Sequence, residues 1–106
     1  MTEIKVIQND KLYDLNFTLQ DSNGTAIDLT GSTIKLKVQQ IGSTALKFEG
    51  MMTIVEAGEG KCKYQVQEGD FDTVGRHYAE IEVTFTTGQI LTFPDIVIIV
   101  EPELPR

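Results

Sequence analysis

The chain has 106 residues, 41% of them apolar and 24% charged, the balance of one ordinary globular domain and not of a disordered segment. Sixteen acidic against nine basic side chains give a formal charge of −7, which argues against nucleic acid or an anionic membrane surface as partner. The longest apolar run, Ile96 to Val100, is too short for a spanning helix, and Met1-Thr2-Glu3-Ile4-Lys5 lacks the basic start and apolar stretch of a secretion signal.

In chain order, Ile4 to Ile7 reads as a short edge strand. Tyr13, Leu15, Phe17 and Leu19 then alternate with Asp14, Asn16, Thr18 and Gln20, the period of a half-buried strand. Asp21-Ser22-Asn23-Gly24 is a turn in which Asn and Gly tolerate positive φ. Ile34, Leu36 and Val38 alternate with Lys35, Lys37 and Gln39. Between Ser43 and Ala57 a helix competes, with Leu46, Phe48 and Met51 on one face. Gly50 would cost such a helix about 1 kcal/mol relative to Ala. Thr53, Ile54 and Val55 are β-branched, so the segment is read as two short strands joined near Gly50.

Cys62, Tyr64 and Val66 alternate with Lys61, Lys63 and Gln65, and Ala79, Ile81, Val83 and Phe85 with Tyr78, Glu80, Glu82 and Thr84. Thr87-Gly88 turns the chain into a last apolar segment, Gln89 to Val100. Residues 101–106 carry two prolines, which remove ladder donors, and read as a frayed or extended exit. Short strands separated by frequent turn signals predict an all-β fold, an antiparallel two-sheet immunoglobulin-like sandwich. The whole of 1–106 is read as one domain, with its core from about 3 to 100. An immunoglobulin-like order sets the 34–38 strand beside the 79–85 strand, facing Lys35 and Lys37 with Glu80 and Glu82. That is a solvated charged face, useful for register and not a binding site.

Few residues offer chemistry. His77, the only histidine, shares phase with Ala79 and Ile81 and points inward or sits at the rim. It has no Gly-x-Ser-x-Gly motif or histidine cluster beside it, so a structural role is favoured and no catalytic residue is assigned. Cys62 shares the inward phase of Tyr64 and Val66 and reads as a small core residue. One cysteine makes no internal disulfide and, with one histidine, a poor zinc set. Glu68, Asp70 and Asp72 could offer oxygens to calcium, but the spacing does not match a twelve-residue calcium loop. The competing reading is a turn closed by Asp70 and Asp72, with Phe71 covering one end of the core. No cofactor is expected. Without a tryptophan or an aromatic cleft signal, a sugar hydrolase is a poor fit.

The last strand departs from alternation. Ile90, Leu91, Phe93, Ile96, Val97, Ile98, Ile99 and Val100 are apolar in both phases. A strand with one wet face should alternate. Ile90, Leu91, Phe93, Val97 and Ile99 are therefore expected to form a protein–protein interface. The competing reading is that the chain switches sheets near Pro94-Asp95, so that each half buries a different phase.

The order of punctuation is distinctive. A strand runs into Asp21-Ser22-Asn23-Gly24-Thr25-Ala26-Ile27-Asp28-Leu29-Thr30-Gly31. Later come Gly60-Lys61-Cys62-Lys63-Tyr64, Gly69-Asp70, Gly75-Arg76-His77-Tyr78-Ala79-Glu80-Ile81-Glu82-Val83, Thr87-Gly88-Gln89 and Phe93-Pro94. From about Leu12 to Val100 this succession resembles the amino-terminal domain of the phage baseplate upper protein family, found in tailed phages and prophages of Gram-positive bacteria. The resemblance implies an immunoglobulin-like sandwich serving as a virion attachment module, made in the bacterial cytoplasm and built into the tail baseplate. In larger members further segments carry receptor-binding proteins outward; this chain is expected to hold the attachment sandwich only. It implies other baseplate or tail proteins as partners, a homo-oligomer in the particle, and no catalytic residues. His77 stands where a tyrosine is the commoner choice at a sandwich corner, with Tyr78 adjacent. The expected function is non-enzymatic assembly; the alternative is a carbohydrate-binding or adhesion sandwich, calcium-assisted through the acidic loop.

Overall fold

The structure, a computed structural model, describes residues 2–104. Its strands are β1 (Thr2–Ile7), β2 (Asp14–Thr18), β3 (Thr33–Gln40), β4 (Phe48–Met51), β5 (Thr53–Glu56), β6 (Lys61–Gln65), β7 (Gly75–Thr84) and β8 (Ile90–Glu101). They form a larger sheet ordered β1-β8-β7-β3-β4 and a smaller one ordered β2-β6-β5. The smaller sheet matches strands B, E and D of an immunoglobulin domain. In the larger, β8, β7 and β3 match G, F and C, with β4 added beside C as in variable-type domains. Every pairing between these strands is antiparallel except β1 on β8, which is parallel, with Ile4 opposite Ile98 and Val6 opposite Val100.

Period-two alternation builds the core. Leu15 and Leu19, Ile34, Leu36 and Val38, Cys62, Tyr64 and Val66, and Ala79, Ile81 and Val83 are all buried between the sheets. Their polar neighbours face outward because successive side chains of a strand point to opposite faces. At the turn after β2, Asp21 Oδ1 accepts hydrogen bonds from the backbone N–H groups of Asn23 and Thr25, at 2.9 and 3.0 Å.

The ambiguous segment after Ser43 is strand, with one short 3-10 turn at Ala57–Glu59. The chain crosses between sheets at buried Met52, whose N–H donates to the Ile34 carbonyl at 2.8 Å, two residues after the expected joint. Gly50 lies within β4 for a different reason. A Cβ there would run into Cε1 of Tyr64, so only glycine leaves room for that ring. Tyr64 stacks on Phe48 with centroids 5.7 Å apart, Phe48 meets the edge of Phe71 at 5.3 Å, and Phe71 meets His77 at 6.3 Å. These rings plug one end of the sandwich.

At the carboxyl end Glu101 is still in β8, opposite Ile7, and its carbonyl accepts from the Gln8 N–H at 2.8 Å. The strand stops at Pro102, which lacks an N–H to continue it. Of the expected exit, Pro105 and Arg106 lie outside the described residues.

Candidate assembly surface

The two-phase apolar character of β8 has a local cause. Ala79 pairs with Ile96 and Ile81 with Phe93, so Pro94 and Asp95 together oppose the single residue Glu80. This is a β-bulge, and Asp95 takes φ 67° to make it. The extra residue reverses the phase. Before it, half-buried Leu91 and Phe93 share the inward phase, opposite core residues Val83 and Ile81; after it, Ile96, Ile98 and Val100 are buried. The strand does not switch sheets, since it pairs with β7 on both sides of the bulge. Phe93 packs against the core, which removes it from an outward-facing set, and Ile90 is exposed at the far end of the strand.

Val97 and Ile99 remain on the outer face of the larger sheet. One cross-strand row runs Glu3, Val97, Tyr78, Gln39, and the next runs Lys5, Ile99, Arg76. Val97 is only 3% exposed because these neighbours and the β3–β4 loop crowd it, whereas Ile99 is half-buried and Tyr78 is 56% exposed. Leu46 rises from that loop. Together with Tyr78, Val97, Lys37, Glu80 and Asp95 it lines a groove of about 250 Å³. The loop is tied down by the Ile41 N–H donating to the Arg76 carbonyl at 3.1 Å and by a hydrogen bond from Gln39 Nε2 to the Ser43 carbonyl. Tyr78, Leu46 and Arg76 were not assigned to the interface from the sequence. Tyr78 carried a signal, an aromatic in the otherwise polar phase of β7; Leu46 lay in the ambiguous segment.

The acidic loop does not converge. Asp70 Oδ2 accepts from the Tyr64 hydroxyl at 2.5 Å and from the Gln67 N–H at 2.9 Å. Asp72 pairs with Lys47 at 2.8 Å, and Glu68 with Lys11 at 3.3 Å. Lys47 and Thr73 hold the Asp72 carboxyl below its ordinary range. Among the described residues no three His, Cys, Asp or Glu side chains are grouped to hold a metal ion. Phe71, 1% exposed, closes the core end. The corner contact is made by Tyr64 and Asp70, not by a tyrosine at the start of β7.

His77 is fully buried, with Nδ1 3.2 Å from the Gly75 carbonyl oxygen, a contact it can make only as donor. Burial pushes its imidazole below the ordinary value, and the backbone of Gly75 and Ile98 partly opposes this. Cys62 is buried too, and burial pushes its thiol up to about 11, so little thiolate is present near neutrality. No helix among the described residues is long and apolar enough to cross a membrane.

A model of the BppU N-terminal domain family matches residues 1–105. No curated protein matches the chain. Among solved structures, CopC from Methylosinus trichosporium OB3b is similar over 100% of this chain and 90% of its own, at 14% identity and a TM-score of 0.61. Murine CRIg is similar over 97% of this chain and 93% of its own, at 9% identity and a TM-score of 0.41. The CopC likeness is one of fold alone.

Proposed function

Because the chain belongs to the BppU N-terminal domain family, the amino-terminal domain of the baseplate upper protein, it has a structural role in a phage tail baseplate, and we propose that it fills this role without catalysis, as one folded unit that docks other tail subunits. The docking surface is the outer face of the larger sheet. The observation that carries this reading is the outward row of β8. Half-buried Ile99 stands there beside exposed Tyr78 and Leu46, with Val97 already covered among them, while the inward row of the same strand fills the core. A face of a small sandwich that meets only water has no physical need for these side chains.

The test separates docking from folding. Ile99→Glu and Tyr78→Glu place charge on the outer face, where neither side chain contributes to the buried core. The expected result is a melting temperature close to that of the parent, with loss of co-sedimentation with the neighbouring tail proteins. Equal loss of folding and assembly would overturn the reading. Val97 is unsuitable as the probe, since its side chain is already covered within the chain.

A further inference from the structure

The loop between β2 and β3 carries a chemistry of its own. Asparagine stands in the chain at Asn9, Asn16 and Asn23, and only Asn23 is followed by glycine. We propose that Asn23–Gly24 is a self-modification site, where the side-chain amide of Asn23 closes onto the backbone nitrogen of Gly24, and that the turn built on Asp21 restrains this closure.

The reaction needs only water. The Gly24 nitrogen attacks Cγ of Asn23. The N–Cγ bond forms, the Cγ–Nδ2 bond breaks, and Nδ2 leaves as ammonia, taking the proton that the Gly24 N–H gives up. Water then opens the cyclic imide at either carbonyl. One opening leaves an ordinary aspartate in place of the asparagine. The other routes the main chain through the side-chain carboxyl and adds a methylene to the backbone. Both products carry one more negative charge than the parent. Glycine leaves the attacking nitrogen uncrowded, and nothing lies within 4 Å of the place a Cβ would take at Gly24. Asp21, Ser22, Asn23, Gly24 and Thr25 are all exposed, so water reaches the ring. The other two asparagines are placed differently. Asn16 precedes Phe17 within β2, and Asn9 precedes Asp10, its Nδ2 donating to Glu103 at 3.1 Å.

The same turn holds the reaction back. Gly24 takes φ 83°, and its N–H donates to the Asp21 carbonyl at 3.0 Å. The nitrogen must give up that proton to attack, so the hydrogen bond opposes ring closure. Asp21 Oδ1 accepts from the N–H groups of Asn23 and Thr25 on either side. The Asp21 N–H donates to the Thr25 carbonyl at 2.9 Å, and Gln20 bridges to Ala26. These bonds hold the peptide between Asn23 and Gly24 in the turn. The Asp21 carboxylate beside it also disfavours an ionised nitrogen, as like charges do. Ring closure therefore draws on the fraction of molecules in which the turn has opened locally.

Incubation of the full chain at mildly alkaline pH, with peptide mapping over time, tests this. Conversion in the parent is expected first at Asn23, with both ring openings among the products. Unfolding in guanidinium chloride should speed it roughly 10-fold or more, because several hydrogen bonds are released together. Asp21→Ala removes the acceptor and the charge, and should convert Asn23 roughly 3- to 10-fold faster than the parent in buffer but at the parent's rate in denaturant. Asp21→Asn keeps an acceptor oxygen and should fall between the two. Asp21 lies outside the buried core, and melting curves check that each variant is folded. If Asp21→Ala does not fold, the parent in buffer against denaturant and Asp21→Asn decide the question. Conversion first at Asn9 or Asn16, or none at Asn23 even in denaturant, would overturn the site. Equal rates for the parent and Asp21→Ala in buffer, or no acceleration of the parent by denaturant, would overturn the restraint.

Discussion

Lys37 on β3 reaches Glu82 on β7 at 2.8 Å, although the register sets Lys37 opposite Glu80 and Lys35 opposite Glu82. The right-handed twist of the sheet brings diagonal neighbours within reach of a long side chain. The pair leaves its mark on both groups: the Glu82 carboxylate holds the Lys37 ammonium above its ordinary value, and Lys37 holds Glu82 below its own. Lys35 makes no such contact among the described residues. Lys37→Met should therefore lower the melting temperature slightly more than Lys35→Met at low salt. The difference should shrink but persist at ~1 M salt, because the pair is partly buried and salt screens it less than an exposed one. Equal effects of the two substitutions at low salt would show that the diagonal contact has no energetic weight.

Gly50 yields a sharper expectation. An added Cβ meets the Tyr64 ring, which cannot swing away freely because Asp70 holds its hydroxyl and Phe48 covers its face. Gly50→Ala should cost about 1–3 kcal/mol in thermal or denaturant unfolding. Gly58→Ala is the matched control, since nothing lies within 4 Å of its added Cβ. If both variants melt alike, the ring is not confined.

Asp95 is the residue that lets β8 change phase. Its φ of 67° suits Gly, Asn or Asp but strains a β-branched side chain. Asp95→Gly should leave stability within about 1 kcal/mol of the parent, and Asp95→Val should lose roughly 1–3 kcal/mol. Deleting Asp95 removes the extra residue, turning Val97 and Ile99 inward in place of Ile96, Ile98 and Val100. Loss of cooperative unfolding on deletion is expected; a cooperative, parent-like melt would mean the bulge is dispensable.

His77 sets a pH dependence. Its folded value is lowered, so the unfolded chain binds the proton more readily and stability rises with pH across this titration. The contribution is present above the unfolded value of about 6.5 and is lost as pH falls through the lower folded value. Asp28, Asp72 and Glu82 are also lowered, but their contribution fades only in stronger acid, below the ordinary carboxylate range. The melting temperature should thus decline in two stages on acidification. His77→Gln should remove the first stage and keep the second. A first stage unchanged in that variant would assign it to another group.

Much of the fold was legible because a half-buried strand writes its inner face into every second residue. The runs at Leu15–Leu19, Ile34–Val38, Cys62–Val66 and Ala79–Val83 needed no tertiary information, and Lys35 and Lys37 beside Glu80 and Glu82 followed from the strand order they imply. The parallel seating of β1 on β8 was not legible, since an edge strand has the same alternation whichever way its neighbour runs. Gly50 was visible as a break in a helical pattern and as a joint between two strands, not as a contact, because the ring that requires it arrives from β6. The acidic loop offered three carboxylates in five residues, and spacing alone could not show that Tyr64, Lys47 and Lys11 draw them apart.

Alternation, turn residues and net charge by themselves determined a β-sandwich with a charged outer surface, because those properties depend on local geometry and composition. Which greasy residues of Gln89–Val100 face outward depended on one bulge, a pairing of β8 with β7 that no local pattern encodes. Only the tertiary structure set Val97 beside Tyr78 and Ile99 beside Arg76, because neighbours across a sheet are chosen by register between distant segments, not by proximity in the chain.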